Sequence, residues 1–165
     1  MILFKAAARC QPPPLKQARQ TGATVVEFAI IAPVFLLLMI AVIELSMAYF
    51  ANLTMQHAVR EGARYAVTGQ SDLDPSTSNQ QRYQAVIQKM KDSSMGMYDK
   101  VNPVISVNGV STTSASMFGN AGDIVVITVD CSWAFSTPMI AAFFKDGKAH
   151  FVAAATMRNE SFGGL

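Results

Sequence analysis

From Phe28 to Ile43 the chain carries no charged residue: Phe-Ala-Ile-Ile-Ala-Pro-Val-Phe-Leu-Leu-Leu-Met-Ile-Ala-Val-Ile. Nothing else in the 165-residue sequence restricts the fold so strongly. Upstream, Ala23–Val26 extend the apolar segment, broken only by Thr24 and Glu27, and Glu44 closes it. A helix over residues 23–44 rises about 32 Å, against a hydrocarbon core of about 30 Å. The segment reads as one membrane-spanning helix in a lipid bilayer, with Glu44 near the outer interface. A buried core helix is the competing reading, and it leaves the flank unexplained. Residues 1–22 hold Lys5, Arg9, Lys16 and Arg19 and no acid, whereas every Asp and Glu lies after them. A basic arm ahead of an apolar run stays cytoplasmic while the rest is exported. Pro33 deletes one backbone hydrogen bond, to the carbonyl of Ala29, a loss transmembrane helices tolerate.

Composition narrows the function classes. Apolar residues make up 51% and charged residues 15%, against a usual charged share of about 25%. That excludes disorder, which needs low hydrophobicity and high charge. A net charge of +2 is too small for a nucleic-acid footprint, so no nucleic-acid partner is expected. Cys10 and Cys131 cannot form a disulfide scaffold or a zinc site. His57 and His150 lack ligand spacing, and Gly62, Gly69, Gly163 and Gly164 lack that of a phosphate loop. No metal, cofactor or catalytic constellation is therefore expected, and Cys131 reads as a buried, inert thiol.

The helical pattern continues past Glu44. Met47, Ala48, Ala51, Met55, Ala58, Val59, Gly62, Tyr65 and Ala66 fall on one side of a helical wheel. Ser46, Gln56, His57, Arg60, Glu61 and Arg64 fall on the other. This predicts an amphipathic helix over 45–67, continuous with the span, whose Ala and Gly allow close approach of another element. Thr68-Gly69 is the stop signal. Arg60, Glu61 and Arg64 read equally as a partner surface and as surface ion pairs.

The junction Gly22-Ala23-Thr24-Val25-Val26-Glu27-Phe28 is unusual, because Glu27 places a carboxylate at the start of a lipid-facing helix. Such a charge costs a few kcal/mol in a bilayer and calls for a partner. A cut after Gly22 frees an ammonium group on Ala23, one helical turn before Glu27. That amine can pair with Glu27 of its own chain or of a neighbour. A Glu that merely faces headgroups is the alternative.

Gly-x-x-x-x-Glu-Phe ahead of an apolar stretch resembles the processing site of type IV-type prepilins. With Ala29-Ile30-Ile31-Ala32-Pro33 after it, and Ala58-Val59-Arg60-Glu61-Gly62-Ala63-Arg64-Tyr65-Ala66 at the helix end, the chain resembles TadE-like pseudopilins of the tight-adherence (Flp) pilus. Arg158-Asn159-Glu160 echoes the same family. The resemblance implies cleavage between Gly22 and Ala23 by a prepilin peptidase, with Glu27 and Phe28 in the processing and assembly motif. It also implies partners among other pilins and pseudopilins and the inner-membrane assembly platform.

In the remainder, Asp74-Pro75 predicts the start of a second helix carrying Tyr83, Val86, Ile87 and Met90 on one face. Val101–Val107 reads as an edge strand, and Asn108-Gly109 as a hairpin turn into Val110–Thr113. Asp123–Phe135 reads as the main strand, with imperfect alternation. Met139–Phe144 reads as a short helix or loop, and Ala149–Arg158 as a last strand. The expected fold is α+β and pilin-like, a long membrane-spanning helix packed on a small antiparallel sheet. Residues 1–22 form a leader, 23–67 the helix (23–44 transmembrane, 45–67 amphipathic) and 68–165 an exported head. The expected place is the bacterial inner membrane, single pass, N-terminus cytoplasmic, head periplasmic or extracellular in a pilus. The rival is a secreted or membrane-anchored periplasmic binding domain with an ordinary signal, cut after Ser46-Met47-Ala48.

Overall fold

The computed structural model describes residues 21–161 apart from 77, 112, 113 and 115. The basic arm 1–20, with Cys10, and the terminal Gly163-Gly164 lie outside the described residues. The elements are α1 (Thr21–Ala66), α2 (Arg82–Ser93), β1 (Val104–Val107), β2 (Ile124–Ala134), α3 (Pro138–Ala141) and β3 (Lys148–Arg158). This is an α+β arrangement of one long N-terminal apolar helix and a three-stranded antiparallel sheet of order β1-β2-β3. The chain divides into two compact units, one ending at Leu38 and one beginning at Met39.

In the first unit α1 passes through Pro33 without interruption. Its most apolar stretch is long enough to cross a membrane and has no buried residue. Such a helix fits a single-pass membrane anchor.

In the second unit α1 supplies the cover that a small sheet with one apolar face requires. Ala51, Met55, Val59, Ala63 and Ala66 recur at helical spacing and pack with Val86 and Met90 of α2 and with Val125, Ile127, Val129 and Cys131 of β2. Gly62 permits the approach of α2, since a Cβ there would lie 2.3 Å from Met90 Cγ. The predicted stripe needs correction at three places: Met47 is exposed, and Thr54 and Ala63 are buried. Thr54 tolerates this because its hydroxyl donates to the Phe50 carbonyl, 2.8 Å away.

Alternation along β2 is cleaner than the sequence suggests. Val125, Ile127, Val129 and Cys131 face in, while Ile124 and Val126 face out. The apolar residues on the outer face blurred the pattern.

One other expectation fails locally. The second helix begins at Arg82, not at Pro75. The buried Asp74 side chain organises the intervening loop, accepting from the backbone N–H of Ser76 at 2.8 Å and of Gln81 at 2.5 Å. The Asn108-Gly109 turn forms, both residues with positive φ, as a type I′ hairpin requires. Among the described residues its far side contributes the bridge Val107↔Val110, and β1 also pairs with β2. Residues 112 and 113 of the expected strand are outside the described ones.

Candidate functional site

Gly22, Ala23, Glu27 and Phe28 all lie in the first turns of α1 and are exposed. A Cβ on Gly22 would meet nothing within 4 Å. The fold itself therefore has no need of glycine at this position. Ala23 and Glu27 stand one helical turn apart on one face. Among the described residues the Glu27 carboxylate has neither a hydrogen bond nor an ion pair.

Arg60, Glu61 and Arg64 belong to the second unit, so the structure does not gather them with the Gly22–Phe28 motif. Arg60 turns back along the helix, its Nε donating to the Gln56 carbonyl at 3.0 Å. Among the described residues no ion pair joins Arg60, Glu61 and Arg64; the one ion pair is Lys91–Asp99, at 3.0 Å. The surface-ion-pair reading is thereby corrected: Arg60 is engaged with backbone. Glu61 and Arg64, with Tyr65, Thr68 and Lys89, line an open cleft of about 210 Å³. At its edge the Tyr65 hydroxyl donates to Asp72. Burial first, and that hydrogen bond second, push the Tyr65 phenol up to about 12.

Sequence reasoning missed the latch that closes the end of α1. Arg82 donates to the Ala66 carbonyl from Nε at 3.0 Å and from Nη2 at 2.5 Å, and to the Gly119 carbonyl from Nη1 at 2.8 Å. It also reaches Asn159 Oδ1 at 3.0 Å. The buried Asn159 donates from Nδ2 to the carbonyls of Phe118 and Asn120, both at 2.8 Å. The Glu160 backbone N–H donates to the Val67 carbonyl at 3.0 Å. Arg158-Asn159-Glu160 thus ties the last strand to the end of the long helix. Nothing local marks Arg82 for this, because its acceptors are distant in sequence.

A second unforeseen link joins Glu44 to the head. Its Oε1 accepts from the Thr137 backbone N–H and hydroxyl, both at 2.8 Å. Its Oε2 is buried with no hydrogen-bond partner among the described residues. Beside it Ala48, Phe135 and Ile140 form a small separate core, with Ala41 and Phe144 against it. Cys131 is buried, and burial pushes its thiol up to about 11, the state of an unreactive cysteine. Among the described residues no three His, Cys, Asp or Glu side chains converge as metal ligands.

The family model of TadE-like proteins matches residues 22–64. Its limits run from the glycine of the junction to the last arginine of the helix motif. The matched helix is TadE-like. A TadE-like helix supports a protein associated with a Tad pilus system. No curated protein and no solved structure matches the chain.

Proposed function

We propose that this TadE-like chain is a minor pilin or pseudopilin that supports assembly of a Tad/Flp pilus. A prepilin peptidase cuts it between Gly22 and Ala23, and it is a substrate in that reaction, not a catalyst. The family match that begins at Gly22 and takes in Glu27 carries this reading. Two physical points support it. Gly22 is not required by the fold, whereas an enzyme that grips backbone closely at the cut does require it. Glu27 stands at the head of an apolar helix without a partner among the described residues, and the Ala23 amine of a neighbouring pilin meets that need. The helices then align where the charges pair. The partners are other pilins, the inner-membrane assembly platform and the bilayer, with the arm cytoplasmic and the head exported.

The secreted-domain reading requires a cut after Ala48. Such a cut removes Glu44, which holds Thr137, and Ala48, which packs on Phe135 and Ile140. Sequencing the N-terminus of the mature protein decides the matter. Ala23 supports the pilin reading, Tyr49 the secreted one and Met1 an uncut anchor. In the same assay Gly22→Leu blocks trimming, and Glu27→Gln is trimmed normally yet loses crosslinking to partner pilins. A Glu27→Gln protein that crosslinks as wild type removes the registering role.

A further inference from the structure

We propose that the head carries a second membrane contact. In it α3 and the turn after it rest on lipid headgroups at the outer end of the span, with Met139 and Phe143 entering the acyl boundary. This rests on reading residues 23–44 as the span.

Phe143 is 87% exposed and Met139 60% exposed. Their outward direction is set by their neighbours. Ile140 is buried with Ala48 and Phe135, and the Phe144 ring lies 4.4 Å from that of Phe135. The packing that holds α3 in place leaves Met139 and Phe143 on the side facing away from the protein. Large apolar groups left outward within one short segment are the kind of surface that serves as a contact site.

The contacts of α3 on the long helix fix its level. Ala41 packs against the same small core, and Glu44 holds Thr137 through two hydrogen bonds of 2.8 Å. Glu44 is also where the apolar run of α1 ends. The exposed tip therefore stands level with the end of the span, where an interfacial segment belongs.

Charge agrees with this placement. Beyond Phe143 an open groove of about 540 Å³ has Phe144 in its wall, with Lys145, Lys148 and His150 as its bases and Asp146 as its acid. Lysines just outside an apolar tip meet lipid phosphates, and an acid among them suits a headgroup amine. Another protein covering the tip would not need to lie level with Glu44, which is why the lipid surface is the occupant assigned.

The full chain is reconstituted at low protein-to-lipid ratio in phosphatidylethanolamine–phosphatidylglycerol vesicles, as Phe143→Trp and, separately, as Val34→Trp. Wild type, with Trp133 alone, supplies the background. Lipids brominated near the carbonyl end of the acyl chain should cause loss of the added emission in Phe143→Trp and shield it from aqueous iodide. Lipids brominated deep in the chain should do the same for Val34→Trp. Quenching of Val34→Trp without Phe143→Trp, with iodide reaching the latter, overturns the second contact and leaves the span standing. Absence of lipid quenching in both variants, with iodide reaching each, overturns the span as well. Shielding of the Phe143→Trp emission from iodide without lipid quenching means that protein covers the tip, which also overturns the proposal. Met139→Trp should behave as Phe143→Trp does and keeps the test decisive if that variant misfolds.

Discussion

Between Phe28 and Leu38 helix α1 exposes Phe28, Ile30, Ile31, Val34, Phe35, Leu36 and Leu38; between Ala48 and Ala66 it buries mostly alanine, with Met55 and Val59. The two stretches belong to one uninterrupted element, so backbone propensity does not separate them. Size does. In the head half small residues let sheet and α2 come near the helix axis, and the large groups of β2 and α2 fill the gap between backbones. In the first half no described part of the chain packs on the helix, and bulky side chains give it the large apolar area that fits a membrane anchor. Hydrophobicity alone would have placed the core at the wrong end of the helix.

The comparison is broken most sharply by truncating one side chain in each half. Met55→Ala leaves a cavity in the core and should destabilise the head by about 2–5 kcal/mol. Leu36→Ala should change head stability by less than about 0.5 kcal/mol, because Leu36 is exposed in the fold. Denaturant melts in micelles, followed by Trp133 emission, measure both, and equal losses would erase the distinction.

Enlargement is the smaller converse. Gly62→Val forces Met90 out of its place and should cost about 1–3 kcal/mol. Ala29→Val, in the exposed half, should leave the head melt unmoved. A Gly62→Val protein as stable as wild type would mean that α2 can shift freely.

The smallest effect concerns pH. The Tyr65 phenol is pushed up to about 12 from its ordinary value near 10, by burial and by Asp72. A folded value raised above the unfolded one contributes stability that is full below pH 10 and is lost as pH climbs from about 10 to 12. Wild type should therefore lose this part of its stability over that window, and Tyr65→Phe should not. Melts from pH 8 upward compare the two, and identical slopes would show that burial and Asp72 do not raise the phenol.

The candidate processing motif was readable in the sequence because it is a linear pattern. Gly22, Glu27 and the apolar run stand within one short segment, and their chemistry needs no folded neighbour. The arrangement around Arg60, Glu61 and Arg64 was not readable to the same degree. Helical spacing brings those residues near one another but does not say whether Arg60 faces an acid or the Gln56 carbonyl.

The sequence alone determined what depends on neighbouring residues: the long helix, the stop at Gly69, the Asn108-Gly109 turn and the strand ending in Arg158. Periodicity and local dihedral preference act within a few residues, so they can be read along the chain. Tertiary structure alone decided what depends on distant partners. It set β2 beside β1. It moved the start of α2 to Arg82, placed that guanidinium between Ala66 and Asn159, and set Thr137 against Glu44. A buried donor or acceptor must find a partner wherever the packed chain supplies one, and in this protein those partners are contributed by segments far away in sequence.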